Sequence, residues 1–130
     1  MKPVVLDTHA FVFYVEGRGL GDAAKRALRQ VDRGRRRAYL PAIVPIELAL
    51  LRERGRVAVG VAELAATLAR NPEIRVLPLD LEQAREFVAL VGVRDPFDRI
   101  VVAAARTSGG VLLTADVAIS RSGLVEVEWD

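Results

Sequence analysis

Short, mostly apolar runs alternate along the chain with longer segments whose apolar residues recur at helical spacing. The apolar runs predict five strands, at residues 4–6, 38–40, 74–79, 111–113 and 125–129. The segments between them predict helices at residues 10–16, 23–33, 41–54, 59–70, 81–91 and 95–107. Because fully apolar strands separated by helices are typical of a sheet covered on both faces, the pattern predicts an α/β fold with a central parallel sheet.

Two local patterns refine this prediction. On the helix predicted at residues 81–91, apolar side chains share one face: Leu81, Ala84, Phe87, Val88 and Val91. The glycines at positions 17, 19 and 21 do not directly follow a strand, so they indicate a break between helices and not a nucleotide-binding loop.

Length and composition exclude several classes of protein. A chain of 130 residues with 52% hydrophobic residues indicates a single domain covering residues 1–130. The chain has no cysteine and one histidine, which excludes disulfide frameworks, thiolate zinc sites, cysteine nucleophiles and histidine-rich metal centres. The longest nearly apolar stretch, 40–51, contains Glu47 and is too short to span a bilayer, and no signal peptide is visible. We therefore expect a soluble, cytoplasmic protein that does not associate with a membrane.

The charge balance points to an acidic partner. The net charge is +2, and all 19 basic residues are arginine except Lys2 and Lys25. A basic protein favours partners such as nucleic acid, although arginine in place of lysine also follows from codon bias or adaptation to heat. Aromatic residues make up 5% of the chain, so we expect no stacking platform for single-stranded bases.

Two aspartates follow predicted strands. Asp7 comes directly after the first strand, and Asp116 comes shortly after the fourth. Because the carboxyl ends of parallel strands meet at one edge of the sheet, both side chains are expected at the same edge, where ligands bind in such folds. Each aspartate alone is also explained as a helix cap or a turn residue.

Two further acids stand in apolar or helical surroundings. Glu47 is the one charge in an apolar predicted helix, which places it either on the polar side of that helix or in a cleft. Asp95 precedes Pro96 and is a good N-cap, and Asp98 lies one turn later, where it also interacts favourably with the helix dipole.

Convergence of Asp7, Glu47, Asp98 and Asp116 would require a cation. At an assumed separation of ~5 Å and an effective dielectric constant of about 20, each pair of carboxylates costs on the order of 3 kcal/mol. A set of oxygen ligands without histidine or cysteine favours Mg²⁺ or Mn²⁺, ions that assist phosphodiester cleavage.

The motifs that contain these acids resemble those of a known family. The order and spacing of four motifs are similar to those of the PIN domain, most closely the VapC-type toxins of type II toxin–antitoxin systems: Asp7-Thr8-His9, Glu47, Asp95-Pro96-Phe97-Asp98-Arg99-Ile100 and Thr114-Ala115-Asp116. The resemblance implies a three-layer α/β/α fold and an endoribonuclease dependent on Mg²⁺ or Mn²⁺.

The resemblance also implies roles for individual residues. Asp7, Glu47 and Asp98 would bind the metal, and Asp116 would complete the catalytic site. Thr8 and Thr114 would support the site through hydrogen bonds. Asp95 would first of all cap its helix and, second, act as an outer ligand of the site. The basic run supplies candidates for binding the RNA backbone, namely Arg35, Arg36 and Arg37, although a solvated charged face explains this run equally well.

The resemblance implies partners as well: an RNA substrate, a VapB-like antitoxin and a second copy of the chain. Aromatic residues of the first helix, including Phe11, Phe13 and Tyr14, are candidates for such interfaces, and core packing is the alternative for them.

Three other functions stay open at this point. One is a PIN nuclease in RNA processing without an antitoxin, and another is a non-catalytic PIN scaffold that binds RNA or protein. The third is a Mg²⁺-dependent phosphatase or receiver domain, which needs a lysine near the site, whereas Lys2 and Lys25 both lie away from the ends of the later strands. The phosphatase also needs an aspartate where His9 stands.

Overall fold

The computed structural model describes all 130 residues and contains five strands and seven helices. The strands are β1 (Val4–Leu6), β2 (Ala38–Pro41), β3 (Ile74–Leu77), β4 (Val111–Leu113) and β5 (Val127–Glu128). The helices are α1 (Thr8–Glu16), α2 (Asp22–Asp32), α3 (Ile43–Glu53), α4 (Val61–Arg70), α5 (Leu81–Ala89), α6 (Pro96–Ser108) and α7 (Val117–Ser122). None of these helices is long and apolar enough to cross a bilayer.

The five strands form one sheet in the order β3-β2-β1-β4-β5, and every pairing is parallel. In the central strand β1, Val4 pairs with Ala38 on one side and with Val111 on the other. Val4, Val5 and Leu6 are all completely buried, although neighbours along a strand point to opposite faces. Both faces of the sheet are therefore covered, which confirms the three-layer α/β/α fold.

The strand order reverses at β1. The chain proceeds from β1 to β2 and β3 on one side, and β4 and β5 lie on the other side. In an open parallel sheet, such a reversal leaves a crevice beyond the carboxyl ends of the two strands that flank it. Asp7 directly follows β1, and Asp116 lies three residues beyond the end of β4. The topology alone therefore brings both aspartates to the crevice between β1 and β4.

Several predicted boundaries need correction. Pro41 pairs with Leu77 in the sheet, so α3 begins at Ile43 instead of residue 41, and β3 ends at Leu77 instead of residue 79. Gly60 is the N-cap of α4, which begins at Val61 instead of residue 59. The helix α7 was not predicted, because six residues are too few to show a helical period.

The apolar face noted on α5 is mostly exposed. The exposed fractions of Leu81, Val88 and Val91 are 68%, 70% and 75%. Gln83 and Leu90 are buried in their place, and the amide nitrogen of Gln83 donates to a backbone carbonyl oxygen at 2.7 Å. Phe87 of the same stripe is partly buried against the core, and its ring centroid lies 4.0 Å from the guanidinium carbon of Arg99 in α6. The stripe is therefore divided between the contact with α6 and an apolar surface that remains in contact with water.

The glycines after α1 form the predicted helix break. Gly17 ends α1 in the left-handed region with φ of 72°, and Gly19 has φ of 89°. A Cβ on Gly19 would lie 2.8 Å from the ring of Phe13, so the loop closes over this ring only with glycine there. A Cβ on Gly21 would lie 2.1 Å from the carbonyl oxygen of Trp129. The break therefore lets the C-terminal segment pack close to the start of α2.

Candidate active site

A cleft of about 480 Å³ opens at the crevice between β1 and β4. All four acids predicted to bind metal line it, and so does a fifth acid from the N-cap of α6. The remaining polar wall consists of two buried threonines and the exposed His9. The acidic lining residues are Asp7, Glu47, Asp95, Asp98 and Asp116.

Three of these acids are helix N-caps. Each aspartate accepts a hydrogen bond through Oδ1 from a backbone N–H of the first turn, which fixes the side chain while the carboxyl group still lines the cleft. The capping explanation considered for these residues is therefore correct, and it is compatible with a position in the site. The pairs are Asp7 with Ala10 (2.8 Å), Asp95 with Asp98 (3.0 Å) and Asp116 with Ile119 (3.0 Å).

The two threonines hold the acids that face them. The hydroxyl of Thr8 donates to Oε1 of Glu47 at 2.5 Å, which links α1 to α3 across the cleft. The hydroxyl oxygen of Thr114 accepts from the backbone N–H of Asp116 at 3.1 Å, and its own proton bonds the Asp7 carboxyl. Both threonines are about 1% exposed, so their hydrogen bonds are shielded from water. They occupy the positions where supporting residues were expected.

The carboxylates repel one another. Burial is the largest cause that raises the pKa of Asp98 to about 7, and further increases come from four neighbouring charges: Asp95, Asp116, Glu47 and Asp7. Burial also raises the pKa of Asp7, against the opposing effect of its hydrogen bonds to Thr114 and Ala10. The charged form of the cleft is therefore destabilised in the absence of a counter-charge.

The donor set fits a hard divalent cation in its chemistry. The cleft presents carboxylate and hydroxyl oxygens and no thiol, and oxygen is the ligand that Mg²⁺ and Mn²⁺ prefer. A cation would also relieve the repulsion that raises the pKa of Asp98. In the arrangement seen, no three His, Cys, Asp or Glu side chains are close enough together to hold an ion.

The basic run lies at the other edge of the sheet, which corrects part of the expectation for it. Residues 33–37 precede β2, whereas the acids follow the carboxyl ends of the strands. Arg36 is only 8% exposed, its Nε donates to the carbonyl oxygen of Lys2 at 2.7 Å, and it pairs with Glu128 at 3.3 Å. Arg36 is therefore a structural residue. Arg35 and Arg37 are exposed but lie away from the cleft.

An aromatic cluster lies beside the cleft, and the sequence predicted an interface role for only one of its members, Phe13. His9 and Phe13 both line the cleft, and their ring centroids are 6.4 Å apart. The ring of Trp129 lies 6.2 Å from that of Phe13. The composition predicted no stacking platform for single-stranded bases, whereas the structure places this aromatic cluster beside the acids. The spacing of four residues between His9 and Phe13 was the available signal, but the contact with Trp129 depends on the chain ends meeting.

Comparisons with known proteins agree with this architecture. A family model described as the PIN domain matches residues 4–123. VapBC2 from Rickettsia felis, solved with a DNA fragment from its promoter, has a TM-score of 0.71 at 13% identity, with 98% of each chain covered. DNA-bound VapBC from Salmonella typhimurium has a TM-score of 0.69 at 18% identity, also with 98% of each chain covered.

A third solved structure has a title that states an activity. It is VapC20 from Mycobacterium tuberculosis, described as a toxin that cleaves the sarcin–ricin loop, with a TM-score of 0.63 at 20% identity. The similarity covers 96% of this chain and 98% of that one. No curated protein sequence matches the chain significantly.

These matches support a family assignment. The family model covers most of the chain, and the solved structures share its fold over almost their whole length. PIN domains are generally nucleases, and they generally use divalent metal ions. The chain therefore belongs to the PIN domain family, with the fold of the VapC-type toxins.

Proposed function

We propose that the protein is an endoribonuclease toxin of the VapC type, which hydrolyses RNA phosphodiester bonds in the cytoplasm with Mg²⁺ or Mn²⁺. The observation that carries this proposal is the convergence of acids on one cleft at the switch point of the sheet. The proposed catalytic and metal-binding residues are Asp7, Glu47, Asp98 and Asp116.

Each of these acids has a distinct position. Asp7 is held by its helix cap and by Thr114, and Asp116 is held by its cap, so both carboxyl groups keep a fixed direction. Glu47 is held by the hydroxyl of Thr8, and it crosses to the cleft from α3. Asp98 has no hydrogen bond to its carboxyl group, and its pKa is raised by the charges of all four other acids in the cleft. Asp98 is therefore the carboxylate most able to move onto an ion.

The chemistry follows from this placement. When bound, a divalent ion would stabilise the charge on the scissile phosphate and lower the pKa of a water molecule. Asp7, Glu47 and Asp98 would hold that ion, and Asp116 would complete the site from the N-cap of α7, after the neighbouring strand β4. Asp95 acts through the backbone, because its carboxyl oxygen accepts from the N–H of Asp98 and so positions that residue. No side chain in the cleft needs to act as a nucleophile.

The first test is RNA cleavage by the purified protein with Mg²⁺ or Mn²⁺ and with EDTA. Asp7→Asn and Asp98→Asn each remove one negative charge, and we expect either to reduce cleavage by about 100-fold or more, since both would be direct ligands. Asp80→Asn is the matched control, because Asp80 also caps a helix, α5, but lies outside the cleft. It should cleave like the wild type.

The outcomes separate the site from the function. If the wild type cleaves RNA and both site variants cleave equally well, the assignment of the site is wrong. If the wild type cleaves no RNA in a broad panel with either metal, the nuclease proposal fails, and the non-catalytic PIN scaffold becomes the better hypothesis.

We also propose a VapB-like antitoxin as partner. The solved structures from Rickettsia felis and Salmonella typhimurium are both VapBC complexes, which supports this choice over a PIN nuclease of RNA processing. A small antitoxin gene next to this one, whose product binds the protein and inhibits its cleavage, would distinguish the two. A homodimer is proposed as well, on the basis of the exposed apolar surface of α5.

A further inference from the structure

The acidic cleft continues into a depression on each side. One flanking depression, of about 410 Å³, shares His9 and Phe13 with the cleft and extends to the loop between α3 and α4. The other, of about 490 Å³, shares Asp95, Asp98 and Asp116 with the cleft and extends towards the loop before α6. Together the three form one open trough that crosses the carboxylates, which we call the active-site trough.

The trough has a basic residue beyond each side of its acidic centre. Arg56 lines one flanking depression and Arg94 lines the other, and both side chains are exposed. Neither arginine forms an ion pair, whereas Arg18, at the same end as Arg56, pairs with Glu16 at 3.3 Å. A polyanion with regularly spaced charges fits this pattern: one phosphate at the acidic centre with its cation, and flanking phosphates at the arginines.

An aromatic wall lies between the acids and Arg56. His9 is exposed on α1, and its ring is tilted by 49° against that of Phe13. Phe13 is itself held between the loop at Gly19 and the ring of Trp129. Because its neighbours fix this wall in place, a base can stack on His9 at a small cost in side-chain ordering.

Building on the proposed nuclease function, we propose that a single strand of RNA lies along the active-site trough. Its backbone crosses the acids between Arg56 and Arg94, and an unpaired base next to the scissile phosphate stacks on His9. This places the substrate-binding residues in two loops and on α1, and not in the basic run at the opposite edge of the sheet.

The structure offers a matched control for charge. Arg37 is exposed and unpaired like Arg56, but it lies at the amino end of β2, away from the trough. Replacing Arg37, Arg56 or Arg94 by alanine removes the same charge and the same side chain in each case. A general effect of net charge on RNA binding would therefore be equal in the three variants. Only contact between RNA and the active-site trough would make Arg56→Ala and Arg94→Ala differ from Arg37→Ala.

The test is binding of fluorescent oligouridylate in the presence of Ca²⁺, a cation that takes the same oxygen ligands and neutralises the acidic centre, measured at several salt concentrations. We expect Arg56→Ala and Arg94→Ala each to weaken binding several-fold and to lower the slope of log Kd against log salt concentration by about 0.7, the value for one lost phosphate contact with a single strand. The double variant should lower it by about 1.4. Arg37→Ala should bind like the wild type.

Stacking is tested at His9. We expect His9→Ala to weaken binding by about tenfold without changing the salt slope, because stacking involves no released counterion. His9→Phe keeps a flat ring without a titratable nitrogen and should restore binding to near the wild-type level. Loss of binding in both variants would show that an imidazole nitrogen, and not the ring face, contacts the RNA, and it would overturn the stacking part.

The outcomes distinguish this inference from the nuclease proposal. If the wild type cleaves RNA but Arg56→Ala and Arg94→Ala bind and cleave normally, the trough is not the RNA path and the nuclease function stands. Equal weakening by all three alanine variants overturns the path in the same way. If the two trough arginines matter only for binding of an antitoxin peptide, the trough is a protein interface and the RNA path is wrong. If RNA binds along the trough but is never cleaved, the inference holds and the nuclease proposal fails.

Discussion

At the scale of single residues, the aspartates of the cleft combine two functions that look like alternatives in the sequence. A carboxylate has two oxygens, and a helix cap needs only one of them. Asp7 and Asp116 each use Oδ1 for the cap, so the backbone itself holds the carboxyl group at the cleft. A motif of strand, aspartate and helix is therefore both a stable local structure and a way to place an acid rigidly.

Asp98 differs from the caps, and its surroundings make stability depend on pH. The pKa of about 7 means that the folded chain holds this proton more tightly than the unfolded chain, in which the ordinary value is 3.8. Between about pH 4 and pH 7 the folded state binds more protons, so the free energy of unfolding falls as pH rises through this window. The group thus destabilises the fold at pH 8 in the absence of a cation.

We therefore expect Asp98→Asn to raise the free energy of unfolding in EDTA at pH 8 by about 1–2 kcal/mol, after allowance for solvent screening. The gain should disappear near pH 4, where the wild-type carboxyl is protonated. Urea unfolding of both proteins across this pH range checks it. Asp80→Asn should change little at any pH, because asparagine caps helices about as well as aspartate. A site variant that is less stable than the wild type at pH 8 would contradict the repulsion argument.

At the scale of elements, the sheet and its acids were predictable because the signals are local. The strands are short, mostly apolar runs. Asp7 directly follows the run that becomes β1, and Asp116 lies three residues after the run that becomes β4. The outer face of α5 was not predictable in the same way. Its apolar stripe suggests burial, but which face packs against α6 depends on the whole arrangement of helices.

The role of each arginine in the basic run was likewise not predictable from the local sequence. In the sequence, Arg35, Arg36 and Arg37 are equivalent neighbours, and nothing local marks the middle one. The structure buries Arg36 because its partner Glu128 lies in β5, 92 residues further along the chain. A charged residue becomes structural here through a contact with a segment far away in the sequence.

This contact yields a prediction for the element. We expect Arg36→Ala to lower the free energy of unfolding by about 2–3 kcal/mol, because it removes a buried stem, a bond to a main-chain carbonyl and the partner of Glu128. Arg35→Ala, an exposed neighbour, should change it by less than about 0.5 kcal/mol. Urea unfolding of the two variants checks this. Equal effects would mean that Arg36 is not the anchor that its contacts indicate.

At the scale of the molecule, the site depends on contacts between elements that are far apart in the chain. Glu47 reaches the cleft because α1 and α3 meet, and their meeting is fixed by the hydrogen bond from Thr8. The sequence could name these residues through a resemblance, but it could not place Arg56, Arg94 or the aromatic wall around them. Those residues lie in loops and on a helix whose positions follow from packing and not from a motif.

The exposed apolar surface of α5 raises a question that a single copy of the chain leaves open. Leu81, Val88 and Val91 are each at least 68% exposed, and isolated domains rarely expose such clusters without a partner. The surface lies on α5 and the loop that follows it, outside the lining of the acidic cleft, so a second copy could cover it without blocking the site. This favours a dimer that leaves both clefts accessible to substrate.

We therefore expect the wild type to be a dimer in solution and Val88→Asp to be a monomer, because a charge buried at the centre of an apolar interface has no partner. Light scattering after size-exclusion chromatography gives the mass directly. Val61→Asp is the control: Val61 is 47% exposed at the start of α4, where an acid also suits the helix dipole. If the wild type is a monomer, the dimer proposal is wrong. If both variants are dimers, the dimer interface lies elsewhere on the surface. RNA cleavage by the Val88→Asp monomer would then show that one cleft suffices, since every acid of the proposed site comes from a single chain.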